Sequence, residues 1–168
     1  ERFNRAVELA ERVVQLLGGI GVFAIEMFVT PSDELLINEI SPRVHNSGHV
    51  TLDACNVSQF EQHVRAVTGL PLLPVVHHSP AVMLNILYAE PMRPVCPDKP
   101  LVQRAGRAGD DSVVSPLAST YWYGKAPGSP GRKMGHINVV APSLELATTA
   151  ARQIMEKLSP RHDSERAA

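Results

Sequence analysis

Two apolar runs separated by a short polar turn constrain the fold of this chain most. Residues 21–30 read GVFAIEMFVT and residues 35–40 read LLINEI, both rich in β-branched or aromatic side chains, with PSDE at 31–34 between them. Runs of this kind, joined by a few residues that begin with proline, are typical of a β-hairpin. The sequence therefore predicts two antiparallel strands over 21–30 and 35–40.

The register of this hairpin places two acidic residues opposite each other. If residues 31–34 form the loop, Phe28 pairs with Ile37 and Glu26 pairs with Glu39. Directly paired side chains lie roughly 5 Å apart at Cβ, where like charges destabilise a sheet. A divalent cation between the carboxylates would remove this repulsion, and carboxylates with substrate phosphates are usual ligands of Mg²⁺. We therefore predict that Glu26 and Glu39 are metal ligands; the alternative is a solvated strand face.

A dense polar segment follows the second strand. Residues 38–49 read NEISPRVHNSGH and carry carboxylate, guanidinium, imidazole, amide and hydroxyl groups. A fold does not require this density directly after an apolar strand, whereas a site that handles metal ions and oxyanions does. For Ser47 and His49, hydrogen bonding that only organises the loop is an equal alternative, and Gly48 is predicted to serve a turn.

A second basic cluster lies late in the chain. Lys125 and the run GRKMGH at 131–136 border a glycine- and proline-rich loop at 126–130. Lysine and arginine can hold a phosphate group, and glycine allows its close approach to the backbone. Taken alone, this cluster favours a solvated basic turn over a binding site.

Composition excludes several classes of protein. With a net charge of −1 and 44% hydrophobic residues, the 168-residue chain is predicted to have a packed core and neither a nucleic-acid-binding nor a membrane-binding surface. No apolar run approaches the roughly 18 residues that span a membrane. Cys55 and Cys96 lie in no metal-binding spacing. Two isolated cysteines favour a reducing compartment, so we expect a cytoplasmic protein.

Hydrophobic periodicity predicts an α+β fold. The predicted helices cover 2–18, 57–67 and 143–158, and the predicted later strands cover 81–88, 120–123 and 136–141.

A proline-rich crossing after the second helix predicts a domain boundary. We predict one domain over 1–73, a small domain over 74–158, and a polar tail or linker over 159–168. Residues 90–118 carry five prolines and little periodicity, which predicts a long excursion within the small domain.

Three segments of this chain resemble the carboxylating ATP-grasp ligases of purine biosynthesis, the 5-(carboxyamino)imidazole ribonucleotide synthases. They are GVFAIEMFV…LLINEISPRVHNSGHVTLDAC, SQFEQHVRAVTGLPL and YWYGKAPGSPGRKMGHINVV. The resemblance covers most of the chain apart from roughly 90–118. It implies the C-terminal half of an ATP-grasp domain, an antiparallel sheet with helices, followed by a small α+β, β-rich C-terminal domain.

The resemblance also implies an activity and its cofactors. The family carboxylates 5-aminoimidazole ribonucleotide with bicarbonate, consuming ATP by way of carboxyphosphate. It implies that Glu26 and Glu39 hold Mg²⁺, or Mn²⁺, at the phosphates of ATP. The full-length protein is implied to be a homodimer with no nucleic-acid or membrane partner.

Individual roles in the first segment are carried over in the same way. Asn38 and Glu39 would lie at the nucleotide. Arg43 would neutralise bicarbonate or carboxyphosphate, a planar anion suited to a guanidinium. His45 and Asn46 would border the point where carboxyphosphate meets the aminoimidazole, so that Arg43, His45 and Asn46 are the candidate catalytic residues.

Further residues are implied to bind the ribonucleotide. Lys125 and Arg132 would clamp its 5′-phosphate, and Ser47 and Lys133 are additional candidates for substrate binding. The ATP-binding lysines, the nucleotide hinge and the N-terminal substrate domain of the family lie upstream of the matched segments. The resemblance therefore implies that residues 1–168 alone do not carry out the reaction.

Three alternatives remain. The formate-using ligase that acts on glycinamide ribonucleotide has a similar segment, but His49 argues against it. Biotin carboxylase has an asparagine where this chain has Ser41. A non-catalytic remnant, which binds ribonucleotide or forms a dimer surface, would be expected to lose its charged site residues first, because a buried charge without its ligand is costly.

Overall fold

The computed structural model describes residues 1–88, 116–126 and 129–158. Its elements are α1 (Arg2–Leu17), β1 (Ala24–Val29), β2 (Leu35–Ser41), a 3₁₀ helix (Asn46–Val50), α2 (Thr51–Ala54), α3 (Gln59–Thr68), β3 (Ala81–Leu87), β4 (Leu117–Trp122), β5 (Lys133–Val140) and α4 (Leu144–Leu158). They form two units, one over residues 1–76 and one from residue 77 onward. The predicted α+β class is confirmed. The predicted tail over 159–168 lies outside the described residues, as does the predicted excursion except for residues 116–118.

The hairpin of the first unit pairs Glu26 with Glu39, as predicted. The predicted pairing of Phe28 with Ile37 is wrong, because Phe28 pairs with Leu36. The strands are therefore offset by one residue near the turn and return to the predicted register at the two glutamates.

Two irregularities explain this offset. The Thr30 amide donates to the Glu34 carbonyl at 2.9 Å, so the loop has three residues rather than four. Asp33 takes the left-handed conformation, with φ 63°, that commonly closes such loops. Further along, the ladder skips Asn38, which forms a β-bulge. The shorter loop moves the register by one residue, and the bulge moves it back.

Helix α1 is attached to the hairpin turn by two ion pairs. Arg2 donates to the Asp33 carboxylate at 2.6 Å, and Arg5 donates to it at 3.0 Å. The hydrogen bond from Arg2 is the largest cause of a lowered pKa of Asp33. These contacts stabilise the left-handed Asp33 and fix the turn against the helix.

Helix α3 is capped by a side chain and is connected to the segment before β1. The Ser58 hydroxyl accepts a hydrogen bond from the Glu61 amide at 3.2 Å, which makes Ser58 the N-cap. The Glu61 carboxylate accepts from Arg65 at 2.9 Å instead of completing a capping box. His63 Nδ1 accepts from the amide of Val22 at 3.1 Å, so this imidazole holds the chain just before β1.

The second unit is a three-stranded antiparallel sheet with the order β3-β5-β4, and α4 packs against it. Its core consists of apolar side chains from β3, β5 and α4, namely Ile86, Ile137, Val139, Ala150, Ala151 and Ile154. The strands predicted at 120–123 and 136–141 are confirmed, but they begin earlier, at Leu117 and Lys133. Lys133 therefore belongs to the central strand rather than to the loop before it.

Candidate active site

The bulge at Asn38 gathers polar side chains around one carboxylate. Consecutive residues of a regular strand point to opposite faces of the sheet, so Asn38 and Glu39 would be separated. In the hairpin, Asn38 Nδ2 donates to Glu26 Oε2 at 3.5 Å, while Glu39 is the direct partner of Glu26 in the ladder. The bulge thus allows both neighbours to approach Glu26.

His45 reaches the same carboxylate from the loop after β2. His45 Nε2 lies 3.2 Å from Glu26 Oε1, and the histidine side chain is only 19% exposed. Its other ring nitrogen, Nδ1, accepts from the Ser47 amide at 3.4 Å and lies 2.8 Å from Ser47 Oγ. Because a backbone amide can only donate, the neutral ring carries its proton on Nε2 and donates it to Glu26. The order Ser47–His45–Glu26 is therefore a directed chain of hydrogen bonds.

Glu39 and Arg43 lie on either side of a buried serine. The Ser41 hydroxyl donates to Glu39 Oε1 at 3.1 Å, and the Arg43 amide donates to the Ser41 carbonyl at 2.9 Å. The Arg43 guanidinium is exposed and donates to the Val44 carbonyl at 3.0 Å. Asn46 is the half-buried first residue of the 3₁₀ helix. The Ser41 hydroxyl thus orients the Glu39 carboxylate, whereas the Arg43 guanidinium faces solvent.

Two carboxylates of the hairpin have the chemistry that Mg²⁺ requires of its ligands. Glu26 and Glu39 are exposed carboxylates on directly paired positions, and the Asn38 amide is in contact with Glu26. Mg²⁺ takes hard oxygen ligands, usually one or two carboxylates, with substrate phosphates and water completing an octahedron. The donor set of the hairpin meets that requirement.

A glutamine that the sequence analysis did not single out holds the main chain of His45. Gln59 Oε1 accepts from the His45 amide at 2.9 Å, and Gln59 Nε2 donates to the His45 carbonyl at 2.8 Å. The same Nε2 lies 3.0 Å from His49 Nδ1. Gln59 is buried, with 9% of its surface exposed. In the sequence, this glutamine is marked only by its position at the start of the helix predicted over 57–67.

Gly48 is required for close approach and not, as predicted, for the conformation of a turn. It belongs to the 3₁₀ helix, and its φ is not in the left-handed region. A Cβ at this position would collide with Gln59 Oε1 and lie 2.6 Å from Gln59 Cδ. The amide of Gln59 therefore packs directly on the backbone of Gly48.

Replacing Gly48 with alanine is expected to displace the Gln59 amide and to destabilise the segment by about 1–3 kcal/mol, as overpacking does in other cores. Amide hydrogen exchange over residues 45–50 should become faster. Gly69→Ala serves as a control, because Gly69 takes φ 73° at the end of α3 with open space around it. Wild-type exchange over 45–50 in Gly48→Ala would contradict this account of the packing.

In the second unit, Lys125 contacts an aromatic ring and a main-chain carbonyl. Lys125 Nζ donates to the Lys133 carbonyl at 3.1 Å and lies 4.9 Å from the centroid of the Tyr123 ring. Tyr123 Oη lies 2.8 Å from Nδ1 of the buried His136, on which Tyr121 stacks at 4.6 Å. Burial raises the pKa of Tyr123, so it stays a neutral phenol at physiological pH. These contacts hold the ammonium group at the surface in one place.

Arg132 and Lys133 are placed differently from each other. The Arg132 carbonyl accepts from the Tyr88 amide at 2.7 Å, and the Arg132 amide donates to Ser129 at 3.2 Å, which fixes its backbone and leaves the side chain exposed. Lys133 is an exposed residue of β5 that pairs with Leu87. Of these two residues, Lys133 helps to position Lys125, because its carbonyl accepts the hydrogen bond from Lys125 Nζ.

Comparisons with known proteins agree with both units. Residues 1–60 match the family model of the ATP-grasp domain, and residues 81–150 match that of the phosphoribosylaminoimidazole carboxylase C-terminal domain. The chain is 38% identical to N5-carboxyaminoimidazole ribonucleotide synthase of Escherichia coli over 160 residues, which cover 95% of the chain and 40% of that relative. The chain belongs to the N5-carboxyaminoimidazole ribonucleotide synthase family. The predicted fold class, part of an ATP-grasp domain followed by a small C-terminal domain, is thereby confirmed.

Two further relatives are also similar to this chain over most of its length. The chain is 46% identical to phosphoribosylaminoimidazole carboxylase of Candida albicans over 157 residues, which cover 90% of the chain and 26% of that relative. It superposes with a TM-score of 0.71 and 34% identity on the N5-carboxyaminoimidazole synthase of Aspergillus clavatus, crystallised in complex with ADP and 5-aminoimidazole ribonucleotide. That match covers 92% of this chain and 39% of the crystallised one. The chain thus spans well under half of the length of these relatives.

None of the helices within the described ranges has the length and apolar character needed to cross a membrane.

Proposed function

We propose that the full-length protein containing this chain is an ATP-dependent ligase that carboxylates 5-aminoimidazole ribonucleotide with bicarbonate. The observation that carries the proposal is the convergence of Asn38, Glu39 and His45 on Glu26 in a chain of the synthase family. The solved relative from Aspergillus clavatus, in complex with ADP and the same ribonucleotide, supports the choice of substrates.

The proposed reaction has two displacements. A bicarbonate oxygen attacks the γ-phosphorus of ATP, a new P–O bond forms, and the bond to ADP breaks to give carboxyphosphate. The exocyclic amine then attacks the carbon of carboxyphosphate, the C–O bond breaks, phosphate leaves, and the nitrogen loses a proton. Such phosphoryl transfer depends on positioning and charge neutralisation more than on covalent help from the protein.

Within this proposal, Glu26 and Glu39 hold Mg²⁺, or Mn²⁺, at the phosphates. The bound cation neutralises charge on the transferred phosphoryl group. The Nε2 proton of His45 and the amide of Asn38 orient the Glu26 carboxylate, since each lies within hydrogen-bonding distance of one of its oxygens. The Ser41 hydroxyl orients Glu39 in the same way.

Arg43, His45 and Asn46 are the proposed catalytic residues. The exposed guanidinium of Arg43 presents parallel N–H donors that match a planar carboxylate, so it suits bicarbonate and carboxyphosphate. His45 and Asn46 follow within three residues on a loop that is fixed at the His45 backbone. Ser47 acts through His45, because its amide and hydroxyl both lie at Nδ1.

We propose that Lys125 and Arg132 bind the 5′-phosphate of the ribonucleotide. The Lys125 ammonium is held by Tyr123 and by the Lys133 carbonyl, so a phosphate would meet it with little loss of side-chain entropy. Arg132 has a fixed backbone and an exposed side chain. The side chain of Lys133, the further candidate from the sequence, is exposed and is proposed to contribute only through its charge, because its carbonyl and not its ammonium group contacts Lys125.

The proposal also places a homodimer of the full-length protein in the cytosol. The sequence has only two cysteines, Cys55 and Cys96, in no metal-binding spacing, which suits a reducing compartment. Size-exclusion chromatography with light scattering on the full-length protein measures the oligomeric state directly.

The function is tested by measuring phosphate release from ATP by the full-length protein with Mg²⁺ and bicarbonate. We expect release that depends on 5-aminoimidazole ribonucleotide. Release that depends on formate and glycinamide ribonucleotide would transfer the assignment to the formate-using ligases. The absence of release with either pair of substrates would favour a non-catalytic protein.

A further inference from the structure

We propose that Gln59 is a positioning residue that holds His45 against Glu26 during carboxylation, an inference that rests on the proposed function. Gln59 belongs to α3, fourteen residues after His45 in the chain, and it does not contact Glu26 itself. We therefore expect Gln59 to act on the reaction through His45, whose main chain it contacts at two atoms.

The side-chain amide of Gln59 fixes the main chain of His45 at both polar atoms. Its oxygen accepts from the His45 amide at 2.9 Å, and its nitrogen donates to the His45 carbonyl at 2.8 Å. Since the amide can meet an N–H and a C=O in one orientation only, the pair of bonds determines which way it faces. Its second amide hydrogen points to His49 Nδ1 at 3.0 Å, so both donors are used.

We call these two hydrogen bonds between the Gln59 side-chain amide and the His45 main chain the Gln59 clamp. Its surroundings leave the side chain of Gln59 little room to move. Gln59 is 9% exposed, and its amide packs on Gly48, where even a methyl group would collide. The Thr51 hydroxyl accepts a hydrogen bond from the backbone N–H of Gln59 at 2.9 Å. The same hydroxyl donates to the Gly48 carbonyl at 2.6 Å. The loop from His45 to Gly48 and the start of α3 are thus connected by several partly buried hydrogen bonds.

The clamp matters because the imidazole of His45 is aimed by its backbone. With the main chain held by Gln59, the ring is oriented by Ser47 at Nδ1 and meets Glu26 at Nε2. A displacement of a reacting or orienting group by about 1 Å can cost on the order of 100-fold in rate. Because the resemblance also puts His45 at the point where carboxyphosphate meets the amine, loss of the clamp should impair this capture step in addition to any effect through Glu26.

The test compares Gln59→Met with the wild type in the full-length protein. Methionine keeps the length of the side chain and removes both hydrogen-bonding functions. We expect carboxylation, measured as fixation of radiolabelled bicarbonate, to fall at least tenfold. Phosphate release should fall less, so that the ratio of phosphate released to carboxylate fixed rises at least threefold. The fraction of folded protein cancels from this ratio, and a purely structural role would leave the ratio unchanged.

Gln62 provides a matched control on the same helix. Gln62 Nε2 donates to the Leu73 carbonyl at 2.6 Å, and Gln62 Oε1 accepts from the Leu73 amide at 3.2 Å. Gln62→Met therefore removes the same kind of two-point clamp from a different segment. We expect Gln62→Met to keep the wild-type ratio of phosphate to fixed carboxylate.

Amide hydrogen exchange gives a second readout that does not depend on activity. Gln59→Met should exchange faster than the wild type over residues 45–50, whereas Gln62→Met should not. A wild-type ratio in an active Gln59→Met protein, or an equal rise of the ratio in Gln62→Met, would overturn the inference. An inactive wild type would instead overturn the proposed function, and the exchange data would still decide whether Gln59 fixes the loop.

Discussion

Replacing Glu39 with glutamine should lower ribonucleotide-dependent phosphate release by the full-length protein at least about 100-fold, equivalent to about 3 kcal/mol of transition-state stabilisation. Glutamine keeps the shape of the side chain and its acceptor oxygen for Ser41, which lies 3.1 Å from Glu39 Oε1. The substitution removes one of the two negative charges that face each other across the hairpin. If this pair holds the cation, the variant should also require a higher Mg²⁺ concentration for half-maximal activity.

Glu34→Gln is the matched control for this prediction. Glu34 belongs to the same hairpin, but its carboxylate accepts from Ser32 at 3.2 Å in the turn and does not face Glu26. We expect Glu34→Gln to retain both the rate and the Mg²⁺ requirement of the wild type. Equal rates and equal Mg²⁺ requirements in the wild type and Glu39→Gln would contradict the role of the pair as a metal site.

The second large effect is expected at Lys125. Lys125→Met should raise the KM for the ribonucleotide by about 10- to 100-fold, because a hydrogen bond to a charged group contributes about 1.5–3 kcal/mol. The KM for ATP should change little. Initial rates at several ribonucleotide concentrations, with ATP and bicarbonate saturating, measure both effects.

Lys133→Met distinguishes a specific phosphate contact from a general basic surface. Lys125 uses the carbonyl of Lys133, a main-chain atom that the substitution leaves in place. We therefore expect a change in KM of less than about threefold for Lys133→Met, the size of a surface charge effect. If both lysine variants raised the KM equally, the basic cluster would act only through its overall charge.

The hairpin shows both the reach and the limit of sequence reasoning at this site. Two runs rich in β-branched or aromatic residues and a turn that begins with proline were enough to predict the strands and the pairing of Glu26 with Glu39. The pattern did not reveal that Asp33 would close a three-residue loop or that Asn38 would be bulged. Because these irregularities shift the register in opposite directions, the predicted pairing was right at the glutamates and wrong at Phe28. The bulge also brings Asn38 next to Glu26, which alternation alone does not predict.

Contacts between distant parts of the chain were beyond the reach of local patterns. The clamp of Gln59 on His45 joins residues fourteen positions apart. No helix or strand periodicity relates a glutamine and a histidine at that spacing. The hydrogen bond between Tyr123, the residue directly after β4, and the buried His136 of β5 joins residues thirteen positions apart. A strand was predicted to begin at His136, yet no signal indicated that its ring would lie in the interior. Helices and strands follow from periodicity, whereas the orientation of the side chains at a site depends on packing between elements.

The proposed function requires that the full-length protein transfers the γ-phosphoryl group of ATP to bicarbonate. Transfer of oxygen isotope from labelled bicarbonate to the released phosphate tests it most directly, with the full-length protein, ATP, Mg²⁺ and 5-aminoimidazole ribonucleotide. Because the attacking bicarbonate oxygen stays on phosphorus when the C–O bond of carboxyphosphate breaks, the account predicts one labelled oxygen in each released phosphate. Phosphate without label would mean that water, not bicarbonate, attacks ATP, and would contradict the proposed reaction.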